Sequence, residues 1–108
     1  MKTYIEVNLQ HEASHFWRDA DKIPEVHYLR YPHRHIFHIR LRKAVSHNDR
    51  DVEIIMFKRE VEEYLKEKYG KHFGPKSCEM LAEELLLKFN CHSVRVLEDG
   101  ENGGLVIK

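Results

Sequence analysis

Between Thr3 and His15 the chain alternates. Ile5, Val7, Leu9, His11, Ala13 and His15 fall on one side, and Glu6, Asn8, Gln10, Glu12 and Ser14 on the other. A period of two marks a strand with one buried face. A second such run opens at His33. His33, His35, Phe37, Ile39 and Leu41 share a face, with Arg34, His38, Arg40 and Arg42 opposite. The stretch from Phe16 to Pro32, with two prolines and mixed polarity, reads as a loop. Ser46 to Asp51 is polar and turn-prone, and Val52 to Ile55 is expected to extend a strand.

Beyond this point the period lengthens. Phe57, Val61, Tyr64, Leu65 and Tyr69 recur at helical spacing, Lys and Glu fill the other side, and Gly70 ends the helix. Ser77 suits the N-cap of a second helix, with Glu79 near its positive end and Cys78, Leu81, Ala82, Leu85 and Phe89 as its apolar stripe. Ser93–Leu97 and Leu105–Ile107 read as short strands joined by the turn-rich segment Asp99–Gly104. The expected fold is α+β: a four-stranded antiparallel sheet in the order β-β-α-α-β-β, with both helices between strands two and three and packed on one face. Open outer strands favour a homo-oligomer that pairs or covers them.

At 108 residues the chain fits a single domain spanning 1–108. Its 18 basic and 18 acidic residues cancel, which argues against nucleic acid or an anionic membrane as a partner, since each favours a basic surface. Two cysteines, Cys78 and Cys91, do not make the framework of a small secreted scaffold. No apolar run approaches a membrane span, and the first residues hold no signal-like apolar core. A cytoplasmic protein is the expectation.

Histidine is the outlier, with nine copies, five of them between His11 and His35. Zinc takes neutral imidazole nitrogens at about 2.0–2.1 Å, and a catalytic site uses three protein ligands with one open position. His33 and His35, one residue apart on a strand, point the same way, and His15 ends the first strand with matching parity. If those ends pair, three imidazoles converge. An H-x-H pair is a weak signal by itself. His11, four residues before His15 on the same face, is either a rival ligand or a structural residue.

A resemblance covering nearly the whole chain adds to this reading. Glu12-Ala13-Ser14-His15 followed by Pro32-His33-Arg34-His35 resembles the zinc pattern of the 6-pyruvoyl- and 6-carboxy-tetrahydropterin synthases, where a strand ends in Ala-Ala/Ser-His and His-Gly-His opens the next. Ser77-Cys78-Glu79-Met80-Leu81-Ala82 is similar to that family's Thr-Ser-Glu-Asn-Leu-Ala helix start, and Ser93-Val94-Arg95-Val96-Leu97-Glu98 to its penultimate strand. The resemblance implies the tunnelling fold, zinc held by His15, His33 and His35, and Glu98 as the anchor of a pterin or purine-like ring. A carboxylate suits that role because it accepts two parallel donors. It further implies a lyase acting on dihydroneopterin triphosphate or a relative, with sites between subunits of an oligomer. Folate, biopterin and queuosine-type deazaguanine routes are all compatible.

Several positions depart from the family pattern. Its catalytic cysteine, or glutamate in one subgroup, stands three or four positions before the first paired histidine, where this chain has Arg30 and Leu29. Neither cysteine can substitute in sequence, since Cys78 belongs to the second helix and Cys91 to the start of the third strand. The family's Leu-Asp-His segment is replaced by Gly70–Lys76, in which His72 is the candidate relay and Lys71 stands for the aspartate. Tyr28, His27 and Glu25 are further candidates for the base. Arg34 replaces the glycine between the zinc histidines, its side chain expected on the opposite face. Three readings follow: a zinc lyase with altered base usage, a non-catalytic zinc protein that binds a pterin or purine, and a structural zinc oligomer.

Overall fold

The computed structural model describes all residues from Met1 to Lys108. The two alternating runs form long strands, β1 (Thr3–His15) and β2 (His33–Val45), paired antiparallel from Thr3↔Val45 to His15↔His33. This register sets Val7, Leu9 and Ala13 beside Phe37, Ile39 and Leu41 on one buried face. A one-residue slip would turn that whole set outward, so the pattern fixes the parity of the pairing, while a slip of two would preserve it.

Helix α1 (Ile54–Tyr69) starts earlier than its apolar spacing indicates, and the expected strand at Val52–Ile55 is absent. The cause is local. The Glu53 carboxylate accepts the N–H groups of Ile55 at 3.1 Å and Met56 at 3.0 Å, capping a helix whose first turn is exposed and therefore lacks a burial pattern. Gly70, at φ 60°, ends it as expected. Helix α2 (Cys78–Phe89) has Ser77 as its N-cap, the hydroxyl accepting Met80 N–H at 3.1 Å. Asn90 in the left-handed region closes its other end. Phe57, Val61 and Leu65 of α1 and Leu81, Ala82, Leu85 and Phe89 of α2 pack on the inner face of the sheet, completing a core of 19 buried residues.

The sheet has five strands and is mixed, which corrects the four-stranded antiparallel expectation. Between the helices, β3 (His72–Gly74) runs parallel to the end of β1. Three residues are too few to show a period of two; buried Phe73 and the bonds Ser14 N–H to Lys71 O (2.9 Å) and Phe16 N–H to Gly74 O (3.0 Å) hold the strand there. With β4 (Ser93–Glu98) and β5 (Asn102–Ile107), the spatial order is β3-β1-β2-β4-β5.

The last hairpin turns over Asp99–Glu101, so β5 begins three residues before the expected Leu105. Its glycines hide the strand because they carry no side-chain pattern. Gly104 also lets α2 approach closely. A Cβ there would lie 2.8 Å from Glu79 Cγ and 3.0 Å from the Glu79 nitrogen. Residues 16–32 contain two 3-10 segments, Arg18–Lys22 and Pro24–Arg30, tied by Trp17 N–H to Leu29 O at 2.8 Å. Both cysteines are buried free thiols, and no helix is long and apolar enough to cross a membrane.

Candidate metal centre

The strand register delivers the site. His15 lies directly opposite His33, and His35 faces Ala13, so three imidazoles on the inner face meet at one end of the sheet. Their ring centroids are 4.6 Å (His15–His33), 5.0 Å (His33–His35) and 5.3 Å (His15–His35) apart. Phe37 forms an apolar floor, its ring 5.1 Å from that of His15. Glu98 ends β4 opposite Phe37 and so joins the same face.

Each imidazole is oriented through its Nδ1. His15 Nδ1 lies 2.9 Å from the Lys76 carbonyl, His33 Nδ1 2.9 Å from the Tyr31 carbonyl, and His35 Nδ1 2.7 Å from Asp99 Oδ2. Carbonyl and carboxylate oxygens only accept, so each Nδ1 carries the proton and donates it. A neutral ring of that tautomer keeps a lone pair on Nε2. Three outer partners of this kind are the arrangement that holds metal-ligating histidines in place.

The Nε2 atoms of His15 and His35 are buried without a hydrogen-bond partner. Glu98 Oε2 stands 2.9 Å from His15 Nε2, off the direction of a hydrogen bond, and Glu98 Oε1 is 3.7 Å from His35 Nε2. Burial pushes His15 below its ordinary value, with His33 and His35 acting the same way and the Lys76 carbonyl and Glu98 opposing. The neutral ring is thereby favoured. Lone pairs and a carboxylate facing one another at short range repel, and a cation between them turns each contact into an attraction. Donor atoms of His15, His33, His35 and Glu98 all lie within 4.8 Å of one another. Three imidazoles and a carboxylate form a donor set suited to a divalent transition metal such as zinc. The residues fit a metal ion.

Other candidates fall elsewhere. His11 is structural: its Nε2 bonds the Gly70 carbonyl at 2.6 Å and its ring stacks on Phe73, tying β1 to the end of α1. His72 pairs with Ser14 on the opposite face of the sheet, Nδ1 to Oγ at 3.0 Å, outside the cluster. Arg34 does point away, to Glu12 at 2.7 Å. A cleft of about 540 Å³ adjoins the histidines, with Trp17, Leu29 and Cys78 among its walls alongside His15, His33 and Glu98. Tyr28, His27 and Glu25 do not line it.

Sequence reasoning missed four contributors, the first being the Tyr31 carbonyl that orients His33. Asp99 directly follows Glu98, and strand parity would turn it to the other face. Its backbone enters the left-handed region instead, at φ 54°, and brings its carboxylate to His35 Nδ1 and the Ile36 N–H (2.9 Å). The Ile36 N–H and His35 hold that carboxyl below its usual range. Lys76 contributes through a backbone carbonyl, which no side-chain pattern announces. Cys78, placed in a helix by sequence, reaches the cleft through the first turn of α2; burial and the neighbouring Glu98 and Glu79 carboxylates push its thiol up to about 12.

No protein-family model matches the chain, and neither does any curated protein.

Proposed function

We propose that this chain is a zinc protein of the 6-pyruvoyl/6-carboxy-tetrahydropterin synthase kind, with the tunnelling fold, whose cleft takes a dihydropterin triphosphate or a related pterin or purine. The observation that carries this reading is the convergence of three Nδ1-tethered imidazoles on the Glu98 carboxylate, with the buried Nε2 atoms of His15 and His35 unpartnered. The element order and the positions of the matching motifs support the family resemblance. His15, His33 and His35 would hold zinc, which when bound supplies Lewis-acid polarisation of a ligand oxygen. Glu98 is within reach of both the metal position and the cleft. It serves as fourth donor or as anchor of the ring's amino and N–H groups. Trp17 and Leu29 offer apolar surface to a flat heterocycle. The reading includes a homo-oligomer, in which the unpaired outer edge of β5 finds a partner strand.

The non-catalytic form of this reading has its own support. Arg30 and Leu29 stand where the family's base stands, the Cys78 thiol is pushed up to about 12, and His72 lies across the sheet. Glu98 is then the carboxylate that faces the inner nitrogens of the cluster, while Asp99 is engaged with His35 Nδ1.

The test is zinc content of the protein as isolated, followed by titration with a dihydropterin and with guanine, then incubation with dihydroneopterin triphosphate. About one zinc per chain and saturable ligand binding are expected. Release of triphosphate assigns the lyase form, and binding without turnover assigns the sequestering or sensing form. Glu98→Gln should abolish ligand binding; unchanged affinity refutes the anchor role. Zinc-free protein that binds neither ligand refutes the reading as a whole.

A further inference from the structure

The face of the sheet turned away from the helices carries a second charged feature. Cross-strand register sets Asn8, Arg40, Arg95 and Leu105 in one row across it, Glu6, Arg42, Ser93 and Ile107 in the next, and Gln10, His38, Leu97 and Gly103 on the other side. Neither helix buries its apolar stripe there, since the buried residues of both belong to the opposite face, but Lys58 and Glu62 of α1 reach a hollow on it. Arg34, Arg40, Arg42 and Arg95 lie on this surface. Arg34 is neutralised by Glu12 at 2.7 Å and Arg42 by Glu6. Arg40 donates only to the neutral amide oxygen of Asn8, at 2.9 Å, and Arg95 makes no side-chain hydrogen bond or ion pair.

Arg40 and Arg95 are direct register partners on adjacent antiparallel strands. Such partners have Cβ atoms about 4.5–5.5 Å apart, and like charges placed so are destabilising. Two half-buried arginines therefore share one row and line the same hollows, with no carboxylate paired to either. A hollow of about 500 Å³ lies against them, with Asn8, Gln10, His38 and Lys58 among its other walls and Glu62 its only carboxylate. A smaller one of about 150 Å³ adjoins the same two arginines from the side of Arg42 and His92. Guanidinium forks match phosphate oxygens in pairs, and a dianion between them replaces repulsion with two charge-assisted contacts.

We propose that the open face of the sheet is an anion site in which Arg40 and Arg95 together bind a phosphate or short polyphosphate group. The metal centre lies on the inner face, so the two sites are separate, and this assignment does not depend on zinc.

The experiment is calorimetric titration with inorganic diphosphate, with thermal melts of the same samples, for the wild type, Arg95→Gln, Arg40→Gln and the metal-ligand variant His33→Ala. The wild type and His33→Ala should bind with equal affinity and melt higher with diphosphate. Either arginine variant should bind at least about tenfold more weakly, the loss of a charge-assisted pair. Arg95→Gln should also melt higher than the wild type without the anion, because the like-charge pair is gone. A parallel titration with a nucleoside diphosphate separates two sources of the same chemistry: equal affinity assigns the free anion, and tighter binding assigns a nucleotide. Absence of saturable diphosphate binding to the wild type overturns the proposal. Affinity unchanged by both arginine substitutions does so too.

Discussion

Two clusters of polar side chains sit partly buried in this small domain, and they are built on opposite plans. Around Glu84, on α2, everything is satisfied. Its carboxylate accepts from the Tyr64 hydroxyl at 2.7 Å, from the Tyr69 hydroxyl, and from the ammonium groups of Lys68 and Lys76 at 3.0 Å each. Burial alone would raise the Glu84 carboxyl, but these four donors outweigh it and hold the group at about 2. Burial, and then the bond to Glu84, push both tyrosine hydroxyls up, which keeps them protonated as donors. Four donors fill the acceptor capacity of two carboxylate oxygens. The product is a clamp joining α1, α2 and the segment before α2.

At the histidine pole the same chemistry is left open. Each imidazole is tied on its outer nitrogen, while the inner nitrogens of His15 and His35 and the Glu98 carboxylate face one another without a proton donor. A folded chain satisfies its buried polar groups where stability is the only demand. The contrast therefore separates a structural network from a binding centre more sharply than burial or charge does. Lys76 connects the two: its ammonium belongs to the Glu84 clamp and its carbonyl orients His15.

The contrast can be broken by substitution. The largest effect is expected from His33→Ala, which removes a donor and should weaken zinc binding by more than the roughly 100-fold that loss of an outer partner can cost. Metal content and a competition titration measure it. The metal-free variant should melt no lower than metal-free wild type, since one crowded lone pair is gone. A large drop in stability would instead make the histidines structural. Asp99→Asn comes next. Asparagine tolerates the left-handed backbone and still offers an oxygen to His35, but it lacks the charge, so affinity should fall about tenfold with stoichiometry unchanged.

Glu84→Gln should act in the opposite sense. It is expected to cost about 2 kcal/mol of stability near neutral pH, the scale of hydrogen bonds to a buried charge, while zinc stoichiometry stays the same. Loss of zinc binding comparable to that of His33→Ala would merge the two clusters into one. The pH dependence sharpens this. Glu84 titrates lower in the folded protein than in the unfolded chain, so its contribution is complete above the unfolded carboxyl value of about 4.3 and is lost as pH falls towards 2. Denaturant midpoints of the wild type and Glu84→Gln should thus converge between those values. Parallel curves down to pH 2 would show that the charge on Glu84 contributes nothing.

The α+β class, the two long strands, the caps at Ser77 and Gly70 and the shared face of His15, His33 and His35 were all legible in the residues. Each follows from local rules: the two-residue strand period, the 3.6-residue helical period, and the preference of particular residues for helix ends. The same rules misjudged Val52–Ile55, because an exposed first turn carries no apolar stripe. They also passed over β3, which is too short to have a period, and the start of β5, where glycines erase it.

What the sequence by itself determined is which donors share a face and which end of each strand they occupy, since backbone geometry sets parity one residue at a time. Tertiary structure alone decided the pairing of those ends, the Nδ1 partners of His15 and His35, and the separation of His11 and His72 from the cluster; the Nδ1 partner of His33 is local, the Tyr31 carbonyl two residues before it. His15 meets the carbonyl of a residue 61 positions away and His35 a carboxylate 64 positions away. Contacts at that range depend on how the helices seat on the sheet and on one left-handed residue at Asp99. Whether a histidine binds a metal or fills a structural role rests on those distant partners, which no local pattern encodes.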